Sequence, residues 1–268
     1  MSTSSYKDFT ISKPLPKFVP VDPAKPPPQL GSVPYLNARP LTYAIREPIA
    51  LLEPSKLAIE LAEGRLQAAL VPLVEVLENS AAYDVVDGVA IGSLNSVYSV
   101  ILIHTLPIVR LKSVALDPAS KTSNELIKVL LEKYYGLKPD YVAAGEPADA
   151  RLIIGDAALN YRRGHADERY LDLAQSWHSH TGLPFVFAVW AVHKHAPNGP
   201  ALAKNLREAA KQGLKAREEI AKTHFEYRYL TEHLYYHLGD PQKKAIEAFA
   251  ADLQEIGRLR EAPDLHYI

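Results

Sequence analysis

Short apolar runs of strand length alternate with helical stretches, and two of those runs are long enough to leave one lobe and enter another. These two observations predict an α/β protein built as a two-lobed clamshell with hinge-crossing strands. A third, the helical pattern of everything after Pro200, predicts a helical C-terminal part. With 268 residues there is material for one or two domains and an ample core. Hydrophobic residues at 47% and charged residues at 23% are ordinary for a soluble globular chain. A formal net charge of -1 and the lack of a basic run argue against a nucleic-acid partner. No apolar run is long enough to span a bilayer, so no membrane partner is expected. With 0 cysteines, disulfides, thiolate chemistry and Cys-based zinc sites are excluded.

Residues 1–30 are rich in Pro, Ser and Lys and carry no continuous apolar core of a secretory signal. They read as a proline-rich flexible arm, with Pro26 to Pro28 favouring extended polyproline II, and the chain is expected in the cytoplasm. Gly31–Asn37 opens the folded part as a strand, followed by a helix over Pro40–Ile45 with proline in its first turn. Ser55 is placed to cap a helix over Lys56–Glu63 that Gly64 ends. Leu66–Val71 is a near-continuous apolar run, the signature of a strand buried on both faces of a parallel sheet. Val74–Glu78 is a short helix and Tyr83–Ile91 another strand.

Val97–His104 is the first long crossing strand, and Lys112–Leu116 a short buried one. The helix over 123–135 repeats apolar residues at helical spacing, opens with a capping box formed by Thr122 and Glu125, and stops at Gly136. Strands follow near Asp140–Ala143 and over Arg151–Ile154, then a helix from Ala157, a partly helical Leu171–His180, and the second long strand over Pro184–His193. Helices are expected at about 200–222, 226–238 and 241–258. The implied division is lobe one as 31–98 plus 195–268 and lobe two as 99–194, with ligands taken in the cleft between them.

Under this topology Ser32, Tyr35, Asn37, Ser96, Ser99, Ser120, Thr122, Ser123, Gly155, Asp156 and the Thr181–Phe185 turn with Pro184 all sit at strand ends facing one cleft. The set is rich in hydroxyls and poor in charge, which suits a small polar ligand held by short hydrogen bonds. The helix start after Ser120 also offers free amides to a carboxylate or phosphate, with Lys121 adding charge. Asn37 either touches the ligand or caps the helix beginning near Arg39. Asp156 is either a base or hydroxyl-binding group, or the cap of Ala157–Arg162. Arg39 either pairs with a ligand carboxylate or points to solvent. No histidine falls in a cleft motif, and His233 with His237 lacks a third metal ligand. Trp177, Phe185, Phe187 and Trp190 read as core or cleft wall.

Ser32–Leu41, Ala69–Pro72, Tyr98–Val100, Asp117–Ser123, Ile153–Leu159 and Asp172…Trp177…Thr181–Trp190 occur in order. Together they resemble the menaquinone-biosynthesis chorismate dehydratases of the futalosine route. That resemblance covers about Gly31 to Trp190. It implies a type 2 periplasmic-binding-protein-like fold that is not periplasmic, and a lyase that dehydrates chorismate to 3-[(1-carboxyvinyl)oxy]benzoate. It also implies no cofactor and no metal. On this reading Asn37, with Asp156, is catalytic. Ser32, Tyr35, Arg39, Ser99, Ser120, Thr122, Ser123, Gly155, Pro184 and Phe185 bind the substrate. Leu73 and Ala119 stand where the resemblance leads one to expect small hydroxyl residues. Competing readings are a binding-only protein, the sister enzyme that makes dihydroxynaphthoate, and a partner-docking helical tail.

Overall fold

The computed structural model describes residues 29–165 and 168–268. The proline-rich arm therefore falls outside the described residues, apart from Gln29 and Leu30 at its end. Among the described residues there are two sheets. The first is assembled from β1 (Leu30–Ser32), β2 (Ile49–Leu51), β3 (Ala68–Pro72) and β4 (Tyr83–Ser93) before the chain leaves it. The second holds β5 (Val100–His104), β6 (Ser113–Ala115), β7 (Asp140–Val142), β8 (Ala150–Ile154) and β9 (Tyr170–Asp172). The chain then returns with β10 (Phe185–His193) and ends on β11 (His266–Tyr267). The strand orders are β11-β4-β10-β3-β1-β2 and β7-β6-β8-β5-β9. One cluster of buried apolar side chains runs through both sheets, and no described helix is long and apolar enough to cross a membrane.

Parallel pairing holds for β1 with β2 and β3, and for β6 with β7 and β8. The two strands that follow a crossing do not obey it: β10 runs antiparallel to β3 and β4, and β5 antiparallel to β8 and β9. A strand entering from the other half starts at the cleft end of its new sheet. It therefore runs against neighbours that finish there. The expected boundary at 194 also moves. All of β10 is paired inside the first sheet, so 185–193 does not belong with the second. Its continuous apolar run suits a central strand of either sheet, and periodicity alone cannot choose.

Between the strands lie α1 (Arg39–Thr42), α2 (Pro54–Ala62), α3 (Leu73–Glu78), α4 (Lys121–Val129), α5 (Gly155–Gly164) and α6 (Leu173–Thr181). The expected Ser55 cap is absent, because α2 starts two residues earlier than Lys56, on Pro54, with Glu53 making no side-chain cap. The Thr122–Glu125 capping box is also overturned. Ser120 is the cap of α4 and accepts the Ser123 N–H at 3.2 Å. The Thr122 hydroxyl instead accepts the Val74 N–H at 3.2 Å. The first turn of α3 needs such an acceptor, since Pro72 before it offers no side-chain cap. Glu125 pairs with Lys128 at 2.5 Å, and Lys121 with Glu75 at 2.7 Å and Glu78 at 2.5 Å, away from the cleft. A π turn over Leu130–Tyr134 extends α4 to its stop before Gly136, whose φ of +67 is left-handed.

The crossing from β4 to β5 is a bend over residues 94–99 in which Tyr98 takes a φ of 69, uncommon for a residue with a side chain. Asp172 holds it there, accepting the Ser96 hydroxyl at 2.7 Å, the Val97 N–H at 3.2 Å and the Tyr98 N–H at 2.8 Å. The same carboxylate caps α6 through the Gln175 N–H at 3.1 Å. The Arg162 guanidinium lies 3.3 Å from the Tyr98 ring centre, and His233 stacks on that ring at 4.4 Å.

The C-terminal part comprises α7 (Gly199–Lys215), α8 (Arg217–Ile220), α9 (His224–Arg228) running into a π turn at Tyr229–His233, and α10 (Asp240–Glu255). The helix expected to reach 238 stops at 233. Residues beyond it are extended, and the Tyr235 N–H donates to the Gly92 carbonyl at 2.8 Å. Position 92 requires glycine for a different neighbour, since a Cβ there would collide with the Phe185 carbonyl of β10. The Tyr134 hydroxyl and the Lys133 ammonium both reach Asp252 at 2.7 Å, tying α10 to the end of α4.

Candidate functional site

The ends of β1, β3 and β8 and the starts of β5 and β10 converge on a cleft. Its space is about 660 Å³ including the part open to solvent, in the range that receives a small ligand. Apolar surface comes from Val33, Leu70, Ile91, Phe187 and Leu234 among others. The polar side chains are Tyr35, Asn37, Ser99, Ser120 and Ser123, and Gly155 contributes backbone.

Each polar group is aimed by a neighbour. Tyr35 and Asn37 sit on the 3-10 turn Leu36–Ala38, which is closed by the Ala38 N–H donating to the Tyr35 carbonyl at 3.1 Å. Asn37 is further fixed by the Tyr236 hydroxyl donating to its carbonyl at 3.0 Å. Its side-chain Oδ1 is buried and has no partner among the described residues, the condition of an acceptor that waits for a ligand. Asn37 therefore does not act as a helix cap. Ser99 accepts the Tyr229 hydroxyl at 2.8 Å, which leaves its own proton to donate. Ser120 spends its proton on Ser123 Oγ at 2.7 Å and so leaves the Ser123 proton free. Two helix starts, those of α4 and α5, reach the cleft through Ser120, Ser123 and Gly155.

Burial and the nearby carboxylates of Glu53, Asp117 and Asp156 push the Tyr35 phenol up to about 12. Burial also raises Asp117, against the pull of backbone N–H groups at Ala119 and Ile154. None of these carboxylates lines the cleft.

Six of the expected residues meet here: Tyr35, Asn37, Ser99, Ser120, Ser123 and Gly155. Others do not line the cleft. Thr122 is committed to Val74, and Ser32 is fully buried. Phe185 packs in the core against Trp177 and Phe249, and the Pro184 carbonyl accepts the Trp177 indole N–H at 3.0 Å. Asp156 and Arg39 lie in a neighbouring polar groove with Asn160, Arg163, Lys222 and Glu226. There Asp156 accepts the Leu36 N–H, and burial raises its carboxyl above the usual range. Leu73 and Ala119 also lie away from the cleft lining. His233 and His237 fall on different backbone types, and no group of metal-ligating side chains occurs among the described residues. Tyr229 and Asp172, which aim Ser99 and its bend, carry no local signal of those roles. Ser99 and Tyr229 are 130 positions apart.

A hinge-crossed pair of sheets around a hydroxyl-lined cleft defines a periplasmic-binding-protein-like clamshell. Solved structures share it at 14% identity: a protein of Archaeoglobus fulgidus (TM-score 0.62, covering 85% of this chain and 97% of that one) and the periplasmic aliphatic sulphonate binding protein of Escherichia coli (TM-score 0.58, 90% and 91%). The family model described as menaquinone biosynthesis matches residues 28–255. Chorismate dehydratase of Thermus thermophilus is 32% identical over 258 residues, covering 84% of this chain and 94% of the relative. That of Campylobacter jejuni is 31% identical, covering 82% and 94%. The chain belongs to the menaquinone biosynthesis family.

Proposed function

We propose that this chain is a cytoplasmic chorismate dehydratase, a hydro-lyase that converts chorismate to 3-[(1-carboxyvinyl)oxy]benzoate and water for menaquinone biosynthesis. Besides family membership, the observation that carries this reading is the chemistry of the cleft. Two preset hydroxyl donors, one unpaired amide oxygen and two helix starts line it, and among the described residues no Asp, Glu, Lys, Arg or His does. Helix-start amides suit the two carboxylates of chorismate. Loss of water makes the ring aromatic, so the drive is in the substrate and the protein supplies position. The proton on the carbon bearing the enol ether passes to a carboxylate of the bound substrate, and Asn37 orients the two. Asp156 acts at the rim, holding Leu36 from the opposite half. The two sheets work as lobes, 29–93 with 185–268 and 100–172. The test is to incubate the purified protein with chorismate, with nothing added, and follow the ultraviolet spectrum of the aromatic product by chromatography. Chorismate bound but unchanged would instead identify a carrier.

A further inference from the structure

Loss of hydroxide from the substrate ring needs a proton, and the substrate carboxylate that takes the C–H proton does not supply it directly. Among the described residues lining the cleft, Tyr35 is the one side chain with an ionisable proton; the rest are aliphatic, aromatic, hydroxyl or amide groups. Ser99 and Ser123 each keep a hydroxyl hydrogen to donate in a hydrogen bond, but an aliphatic alcohol is a far weaker acid than a phenol and does not give up its proton. The Tyr35 hydroxyl has no protein partner among the described residues. It is carried on the same 3-10 turn as Asn37.

We propose that Tyr35 is the general acid of the dehydration, donating its phenolic proton to the hydroxyl that leaves the ring. The inference rests on chorismate being the substrate. In the step, the C–H bond at the carbon bearing the enol ether breaks and its electron pair forms the new ring double bond. The neighbouring C–O bond breaks toward oxygen, which takes the Tyr35 proton and departs as water. The phenolate then recovers the proton that the substrate carboxylate had accepted, so the enzyme ends as it began and the product keeps both negative charges.

The surroundings select the acid role over the base role. The charged groups acting on Tyr35 are the carboxylates of Glu53 before α2, Asp117 after β6 and Asp156 on α5. A phenol is already protonated in the neutral range, and burial, with these carboxylates, moves it further from ionising, so Tyr35 has a proton to give and is not a base. A general acid is worth about 10²–10⁴-fold in rate.

Steady-state kinetics on chorismate decide the matter, with wild type and Tyr35→Phe compared after thermal melts establish that both fold. The expected result is a fall in kcat of about 10²–10³-fold with KM essentially unchanged. Replacing Tyr35 by 3,5-difluorotyrosine, whose fluorines acidify the phenol, keeps the ring and adds a second readout. Wild-type kcat should hold up to about pH 10, the ordinary phenol pKa, while the fluorinated enzyme should lose kcat as pH rises below that value. A Tyr35→Phe enzyme with near wild-type kcat, or one altered only in KM, overturns the assignment while leaving the dehydratase reading intact. Equal pH profiles for the natural and fluorinated phenols overturn it as well. Wild-type protein that leaves chorismate unchanged removes the dehydratase reading, and this inference falls with it.

Discussion

Removing the Asn37 carboxamide separates two effects that usually travel together. Its Oδ1 is buried without a partner, a state that costs a folded protein about 1–3 kcal/mol. Asn37→Ala should therefore leave the melting temperature unchanged or slightly higher. It should also lower kcat on chorismate by about 10²–10³-fold, the usual effect of losing one preset polar group at a reacting centre. Melting curves and kinetics on the same preparation check both halves. His233 supplies a pH prediction. Burial holds its imidazolium below the ordinary 6.5, although the Ser96 carbonyl favours the charged form. The unfolded chain takes up this proton near 6.5 and the folded chain only at lower pH. The stability it contributes is thus intact above 6.5 and is lost as pH falls through the folded value. His233→Gln should flatten the acid limb of urea-unfolding free energy between pH 7 and 5. Ser120 and Ser123 stood out as hydroxyls at a helix start, whereas Asn37 stood out only through its motif, since it sits on a 3-10 turn and ends no strand. Tyr229 and Asp172 were not legible in the sequence, since their partners are distant in the chain and nothing local encodes the pairing.

At the level of elements, the start of α4 divides its labour between neighbouring hydroxyls. Ser120→Ala removes the cap and should cost about 1 kcal/mol. It should also raise KM, because that hydroxyl lines the cleft. Thr122→Val strands the buried Val74 N–H and should cost about 1–3 kcal/mol with KM unchanged. Denaturant melts beside KM measurements separate the two, and a raised KM in the Thr122 variant would place that residue back in the cleft. The pattern of the sequence located α4 but favoured the wrong cap. Thr122 and Glu125 satisfy a local motif, whereas the acceptor that α3 lacked lies 48 positions away. The overrun at 234–238 has the same origin. Apolar spacing continued, but the free backbone groups of Gly92 at the end of β4 offered Tyr235 a bridge partner. Gly213 is another close approach, where a Cβ would fall on the Pro40 carbonyl between α7 and α1. Gly213→Ala should destabilise by about 1–3 kcal/mol.

For the molecule as a whole, the α/β class was readable from alternating strands and helices, which the structure arranges in two sheets. The place of re-entry was not readable, because β10 is apolar on both faces. Chorismate or its product at saturation should contract the radius of gyration measured by small-angle X-ray scattering and raise the melting temperature. An unchanged radius with a raised melting temperature would mean that the cleft is already closed without ligand. Tyr98, with its left-handed backbone, marks the bend in the crossing from β4 to β5, held by Asp172 and flanked by Arg162 and His233. Tyr229 and Leu234 have a further consequence, since one steadies Ser99 and the other forms part of the cleft. A proteolytic nick between α8 and α9 would cut no strand of either sheet and would leave most of the substrate's surroundings covalently whole. Turnover should nonetheless survive such a cut only while the severed piece stays seated, so dilution into mild denaturant should silence the nicked enzyme well before the intact one.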